Sequence, residues 1–456
     1  MDWIYILPVL FSGVAGILCI LPSLKFEEDI SVAGSVLALA SSIYVATLPD
    51  HVDAFMHVDG LSKVFLIMIS AIYVGVTIFS VNYLEHIENK LFQTNFYFFL
   101  LNLFVLTMLF TVIVDNIGLM WVGVEATTLT SALLIATENE EAAIEATWRY
   151  IIIVSAGLVV SLIATIFIYA GTGTLSLSKL LTAHPASQIV AVGAMLAVVG
   201  YGTKAGIFPM HTWLPDAHGR APAPVSAIFS AVLLPVALFS IVRIIGAAPI
   251  LGVQDFAFWL GFLSVAVASL MTFSQRQYKR LFAYSSIENM GIALIGISVG
   301  GYGFVGAIVI IVAHAFAKSA TFLLSGNVLA VYKTPFISEV KGVYKKIPLT
   351  GYLFSIGALA VTGAPPFGSF LGELLILTQV LKSFGIVWTV VLSTFIVIAF
   401  LGVNYRVARM VFSEGPSESE SYGDATPVKS PVAVAAINLA LALLTTFALP
   451  VIYRML

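Results

Sequence analysis

Charge is scarce in this chain and cysteine nearly missing. Asp, Glu, Lys and Arg make up 10% of its 456 residues, against about a quarter in solvated domains, and that shortage excludes a water-soluble fold. Cys19 is the only cysteine, so the chain can build no internal disulfide, no thiolate metal site and no iron–sulfur ligation. Any redox chemistry must lie on another polypeptide. A net charge of −3 without a polybasic tail argues against nucleic acid as a partner. A basic leader is missing too. Met1-Asp2-Trp3 opens an apolar run to Leu21 that is long enough to span a bilayer, which reads as a retained first helix and not as a signal peptide.

What the chain has instead is apolar length. It is 60% hydrophobic with a mean hydropathy of +1.03, and about fourteen apolar runs of spanning length can be placed along it. The fold class predicted is an all-α polytopic membrane protein, with the lipid bilayer as its first partner. Three helices occupy residues 1–92, five occupy 93–246 and five more 253–412; a Ser-, Glu-, Gly- and Pro-rich cytoplasmic linker covers 413–429, and a last helix 430–456. With the N-terminus outside, fourteen Lys and Arg fall on inner loops and helix ends and five on the outer side, leaving Lys204 and Lys318 in the membrane. Cytoplasmic loops hold the excess of basic residues, so both termini are expected outside.

Four ionisable residues, Glu125, Lys204, Lys318 and Glu373, sit inside these apolar runs. One such charge at a helix centre costs roughly 2.5–3.5 kcal/mol on insertion scales, and such residues mark ion pathways. Two runs are also interrupted. Gly200-Tyr-Gly-Thr-Lys204-Ala-Gly206-Ile-Phe-Pro209 and Thr362-Gly363-Ala-Pro365-Pro366-Phe-Gly368-Ser-Phe-Leu-Gly372-Glu373 are dense enough in Gly and Pro to unwind a helix. Discontinuous helices are therefore expected near 200–210 and 362–373, each beside an ionisable residue. Five helices separate the two breaks, and a five-helix unit inserted twice must be inverted in its second copy. Gly and Pro also serve plain packing in membrane helices.

At these residues the chain resembles the antiporter-like membrane subunits of respiratory complex I, group 4 membrane-bound nickel–iron hydrogenases and multisubunit sodium/proton antiporters. The likeness runs from about residue 60 to 412, and its most specific segment is Lys204-Ala-Gly-Ile-Phe-Pro-Met-His211-Thr-Trp213-Leu-Pro215-Asp216-Ala-His218-Gly-Arg-Ala-Pro222-Ala-Pro224-Val-Ser226. Lys279-Arg280-Leu-Phe-Ala-Tyr284-Ser285-Ser286-Ile-Glu288-Asn-Met290-Gly291 and His314-Ala-Phe-Ala-Lys318 with Gly326-Asn327 are most similar to the hydrogenase-type members. Many relatives carry Lys in the eighth span, where this chain has Leu233-Leu234-Pro235-Val236. That departure removes support for a proton step there and predicts a kink filled by water or by Ser230.

The resemblance implies an ion-translocating subunit of a redox-driven complex in a prokaryotic cytoplasmic membrane, performing no catalysis of its own. Neighbouring membrane subunits, antiporter-like or quinone-site-like, and a peripheral redox arm would be its partners; iron–sulfur centres, and in a hydrogenase-type assembly nickel–iron centres, would sit on them, and no cofactor on this chain. It also implies that Glu125 pairs with Lys204, that Lys318 is the central relay and that Glu373 is the terminal site toward the outside. His314 lies one turn before Lys318 on the same face and is a candidate relay, as is Glu288. His211, Asp216 and His218 follow the first break, where they either anchor the loop or admit protons; no thiolate or second carboxylate supports metal binding there. Glu138, Glu140, Glu141 and Glu145 read as an acidic cytoplasmic run, a solvated or subunit-facing loop and not a conductor, and Phe96-Tyr97-Phe98-Phe99 as lipid-facing or interfacial packing. An autonomous solute transporter and a passive assembly scaffold are the alternatives. Whether H⁺ or Na⁺ moves is not written in these residue types.

Overall fold

The computed structural model describes residues 2–21, 26–85, 87, 89–414 and 429–456; most of the linker expected at 413–429 lies outside them. A short 3₁₀ turn, Asp2–Ile6, leads into α1 (Leu7–Cys19), followed by α2 (Glu27–Thr47), α3 (Gly60–Leu84), α4 (Thr94–Thr111), α5 (Ile117–Ile135) and α6 (Glu141–Thr172). The small α7 (Leu177–Ala183) precedes α8 (Gln188–Ala205), α9 (Trp213–Arg220), α10 (Ala223–Ile228) and α11 (Leu234–Ala247). Then come α12 (Leu251–Thr272), α13 (Tyr278–Val299), α14 (Gly301–Tyr332), α15 (Val343–Lys346), α16 (Pro348–Val361), α17 (Gly368–Phe412) and α18 (Lys429–Met455). Strands β1 (His51–Val52) and β2 (His57–Val58) form one small antiparallel hairpin.

Among the described residues, 12 helices are long and apolar enough to cross a membrane, and Trp3–Cys19 and Pro348–Val361 are apolar but shorter. The difference from about fourteen runs is a matter of joints. α17 is two helices, 368–384 and 386–412, that meet at Gly385, whose φ 82° and ψ 178° are not helical, so it holds two of the expected runs; α1 falls short of spanning length, and α16 stops at the second break.

Loops sort to two ends of the bundle. His57 pairs its backbone with Ile113, Asn116 bridges Ser176, and Asp59 reaches Arg243; this is the His57 end. Lys90 bridges Glu138, Gln277 bridges Phe336, and Lys279 donates to the Ala221 carbonyl; this is the Lys279 end. α8 starts at the His57 end and α16 at the Lys279 end, so the two broken helices approach their breaks from opposite sides.

Lipid gives helices no hydrophobic reason to associate, so packing and polar contacts must do it. Nearly every residue of α10–α11, α13 and α14 is buried inside the protein, whereas most of α17 is not. The polar residues of the central three therefore face protein, and α17 presents Val387, Val397 and Leu401 outward. Where α14 meets α17, a Cβ on Gly306 or Gly372 would stand 2.7 Å from the other's carbonyl oxygen, so bare backbones are what let these helices touch. The Phe96–Phe99 cluster divides: Tyr97 and Phe98 turn inward, with the Tyr97 hydroxyl 3.0 Å from Ser80 Oγ, because α4 packs on both α3 and α5. Cys19 is buried beside Ser31 and Asn102.

The eighth span contains a π turn, Phe229–Leu233, directly before Pro235, with the Leu234 amide bonded to the Phe229 carbonyl. Proline cannot donate to the ladder, and the extra residue in the turn absorbs that loss. Ser230 Oγ lies 2.8 Å from Ser286 Oγ on α13, so the expected kink is held by a serine pair.

At the His57 end, Asp59 caps α3 through the Ser62 amide and receives both Arg243 guanidinium nitrogens at 2.6 Å. Burial pushes the Asp59 carboxyl up, but hydrogen bonds from Arg243 and His57 outweigh it and hold it well below the usual carboxylate range. Arg243→Ala, which strands Asp59 in a largely buried site, is expected to cost about 3 kcal/mol or more, read as a lower melting temperature of the purified protein. A depressed carboxyl contributes fully above its unfolded value near ~3.9 and loses that contribution as pH falls below it. Wild type should therefore lose melting temperature below about pH 4 more steeply than Asp59→Asn.

Candidate functional site

The first break is built by closing a helix early. α8 ends after Ala205; Gly206 is left-handed, and the Ile207 amide returns to the Gly202 carbonyl at 2.8 Å. Trp213 Nε1 donates to the Thr203 carbonyl at 2.9 Å, and Ser264 Oγ accepts the Phe208 amide at 2.9 Å. Backbone groups freed inside a membrane must find protein partners, and here an indole and a hydroxyl from other elements supply them.

Lys204, in the last turn of α8, is wholly buried. Its ammonium donates to Thr128 Oγ1 at 2.8 Å and to the Tyr150 hydroxyl at 2.6 Å, and Tyr150 lies 2.5 Å from Ser131 Oγ. Glu125, half-buried on α5, instead accepts from Ser155 at 3.1 Å, and its Oε2 is buried without a protein partner. The expected Glu125–Lys204 contact pair is thus not made in this conformation. The two remain within electrostatic reach, with hydroxyls between α5, α6 and α8 holding the lysine. Thr128 sits one turn beyond Glu125, so the same helix face offers both groups.

Lys318, wholly buried on α14, donates to the Phe282 carbonyl at 2.7 Å and to Ser285 Oγ on α13. His314 and His218 are fully buried, and neither ring nitrogen of either has a protein hydrogen bond. His218 stacks on Phe322 with centroids 4.6 Å apart. His211 is buried between Phe208 and Tyr284, its Nδ1 without a partner. Asp216 stands apart from this interior set: it receives Arg280 at 2.9 Å and Arg149 at 3.2 Å, while Arg149 also holds Glu145 at 2.5 Å. Its environment is that of a loop anchor. No His, Cys, Asp and Glu group with metal-holding geometry occurs among the described residues.

The second break ends α16 at Val361. Asn289 Nδ2 donates to the Val361 carbonyl at 3.0 Å and to Glu288 Oε2 at 2.8 Å, and Ser369 Oγ donates to the Ala360 carbonyl at 2.7 Å. Gly363, at φ 70°, lies against Glu373: a Cβ there would meet Oε1 at 2.1 Å and Oε2 at 2.4 Å. Glu288 and Glu373 are both buried and lie within electrostatic reach of each other.

Some of these groups carry no sequence signal of their own. Tyr150, Thr128, Trp213 and Asn289 are ordinary residues until distant helices converge on them. Glu138 departs from the solvated run expected of it: it sits 3.5 Å from the Tyr83 hydroxyl, and burial pushes its carboxyl up against the pull of Lys279.

The family NADH:quinone oxidoreductase/Mrp antiporter, TM, matches residues 114–399. Hydrogenase-4 component F homolog of Methylacidiphilum infernorum (isolate V4) is 30% identical over 441 residues, 92% of this chain and 90% of that protein. A chain of the membrane-bound sulfane sulfur reductase, an archaeal respiratory membrane complex, superposes with a TM-score of 0.86 over 99% of this chain and 95% of its own, at 20% identity. A chain of respiratory complex I from Thermus thermophilus does so with a TM-score of 0.78 over 97% and 98%, at 24% identity. At those identities both likenesses are of fold.

Gly363→Ala places a methyl group where the Glu373 carboxylate now lies and forces a left-handed conformation that costs a side chain roughly 1–2 kcal/mol. The flexible carboxylate is expected to swing away, leaving the intact assembly stable on a native gel while its ion flux falls; unchanged flux would remove Glu373 from the site.

Proposed function

Because this chain belongs to the NADH:quinone oxidoreductase/Mrp antiporter membrane family, we propose that it moves protons or sodium ions across the membrane as one subunit of a redox-driven assembly of the hydrogenase-4 kind. The assembly would be completed by other membrane subunits and a peripheral arm carrying the redox centres, since one cysteine leaves this chain no means of holding them. The Lys279 end would face the cytoplasm and the His57 end, with both termini, the outside. Residues 93–246 and 253–412 would be the inverted five-helix units, because their broken helices enter from opposite ends.

One observation carries this reading. Lys204 and Lys318 are buried ammonium groups for which no carboxylate lies within 4.0 Å among the described residues. A structural buried charge is stabilised by a contact partner, and one without it is strongly destabilising. These two are held by the hydroxyls of Thr128, Tyr150 and Ser285, which can relay a proton without being left as unpaired ions, and by the Phe282 carbonyl, which only accepts a hydrogen bond.

The route runs from Lys204 through Tyr150 and the Ser230–Ser286 pair toward His218, His314 and Lys318, then by Glu288 to Glu373. Buried polar atoms without protein partners along it, at His218, His314, Tyr201 and Glu125, are the places where water would complete the chain. Glu125 acts as the switch: moving its carboxylate toward Lys204 stabilises the ammonium, and moving it back to Ser155 favours proton release. Pro235 stands where many relatives have lysine, and the Ser230–Ser286 pair one turn before it carries the proton without a charge of its own. His211 admits protons at the mouth, and Asp216 holds that mouth open through its two arginines.

Lys204→Met and Glu373→Gln, in the intact complex in liposomes, are each expected to lower ion flux about tenfold or more, the effect of a barrier raised by 1.36 kcal/mol, with electron transfer slowed in step. Unchanged flux in both variants would indicate a scaffold.

A further inference from the structure

We propose that the Lys279 end carries a binding site for the headgroup of an anionic phospholipid, in a cavity framed by α12, α17 and the 333–342 loop. The cavity has a volume of ≈ 420 Å³ and is lined by Arg276, Lys341, Arg406 and Arg409 on the basic side and Glu339 and Glu414 on the acidic side. Four cations against two carboxylates leave a formal surplus of two positive charges.

Among the described residues that surplus is not used within the fold. Arg406 spends its guanidinium on the Phe273 and Gln275 carbonyls, tying the end of α12 to α17. Arg276, Lys341 and Arg409 make no ion pair with any described carboxylate. Arg409 stands 5.8 Å over the exposed ring of Tyr405. Glu339 is engaged by Thr334 and does not neutralise them. Two arginines at the rim of a concave site match a phosphodiester, whose oxygens accept a planar fork of donors.

Its place in the fold selects a lipid over a free anion. The wall beside the cavity is hydrocarbon-facing: Leu270 and Leu401 are more than half exposed, at 57% and 54%, with Phe273 and Phe412 at the same level. Aromatic residues gather where helices leave the hydrocarbon, so the cavity opens at headgroup depth with room for acyl chains along α12 and α17. Basic pockets between helices on that side recognise anionic headgroups. A bound headgroup would tie the turn after α12 to the 386–412 half of α17, where Arg406 already reaches the Phe273 and Gln275 carbonyls.

The test uses the purified whole complex in nanodiscs of phosphatidylcholine, alone or mixed with phosphatidylglycerol, and reads retained lipid by native mass spectrometry together with the thermal midpoint. Wild type is expected to retain phosphatidylglycerol selectively and melt higher in its presence, and to lose both effects at high ionic strength as screening weakens the contact. Arg276→Gln with Arg409→Gln should bind it roughly thirty-fold more weakly, and Arg276→Lys with Arg409→Lys should retain most of the binding. Equal retention in the Gln pair would overturn the proposal. So would protection by inorganic phosphate equal to that by the lipid, which makes it a free-anion site. A cross-link from position 409 to a neighbouring subunit with no lipid retained would likewise overturn it and make the surface a protein contact.

Discussion

A membrane leaves no backbone N–H or C=O to water, so a helix can stop inside it only where other protein groups take over its hydrogen bonds. This constraint shapes the centre of the molecule. At the first break the Thr203 carbonyl is met by Trp213 and the Phe208 amide by Ser264; at the second, Asn289 and Ser369 meet the Val361 and Ala360 carbonyls. Each replacement comes from a different element. The breaks therefore fix the arrangement of the helices around them, while Lys204 takes its partners from a separate set, Thr128 on α5 and Tyr150 on α6.

The buried lysines of the interior are not neutralised by contact with a carboxylate. Lys204 uses hydroxyls of Thr128 and Tyr150, and Lys318 a serine and a carbonyl. Where the molecule needs a fixed joint it does use contact pairs: Asp59 with Arg243 at one end, and Asp216 with Arg149 and Arg280 at the other. Ion pairs bound the ends, and lysine amines with hydroxyl partners occupy the middle. The surface pairs add little stability, but they hold the mouths in register.

How far the sequence reveals this depends on the range of each signal. A charge in an apolar run is a local contrast, so Glu125, Lys204, Lys318 and Glu373 can be read off the chain, as can both breaks from their Gly and Pro. The long resemblance supplies the class of protein. What stays hidden is set by distant partners: Asn289 lies 72 positions from the carbonyl it caps, and Arg243 lies 184 from Asp59. The Glu125–Lys204 pairing is expected from analogy, yet hydroxyls intervene in the observed conformation. Glu138 looks solvated because its neighbours Glu140 and Glu141 are; only the approach of Tyr83 and Lys279 sets it apart. The division between the runs on either side of Gly385 is legible as well, since the helix is interrupted at that glycine.

Cys19, the single thiol, is enclosed between Ser31 and Asn102 and shielded from solvent. Sulfhydryl reagents react through exposed thiolate, so the native chain is a nearly silent background for site-directed labelling. One engineered cysteine at either end of the bundle would carry a spin or fluorescent probe with little competition, and a pair spanning α8 and α16 would turn the relative movement of the two broken helices into a distance measured during turnover.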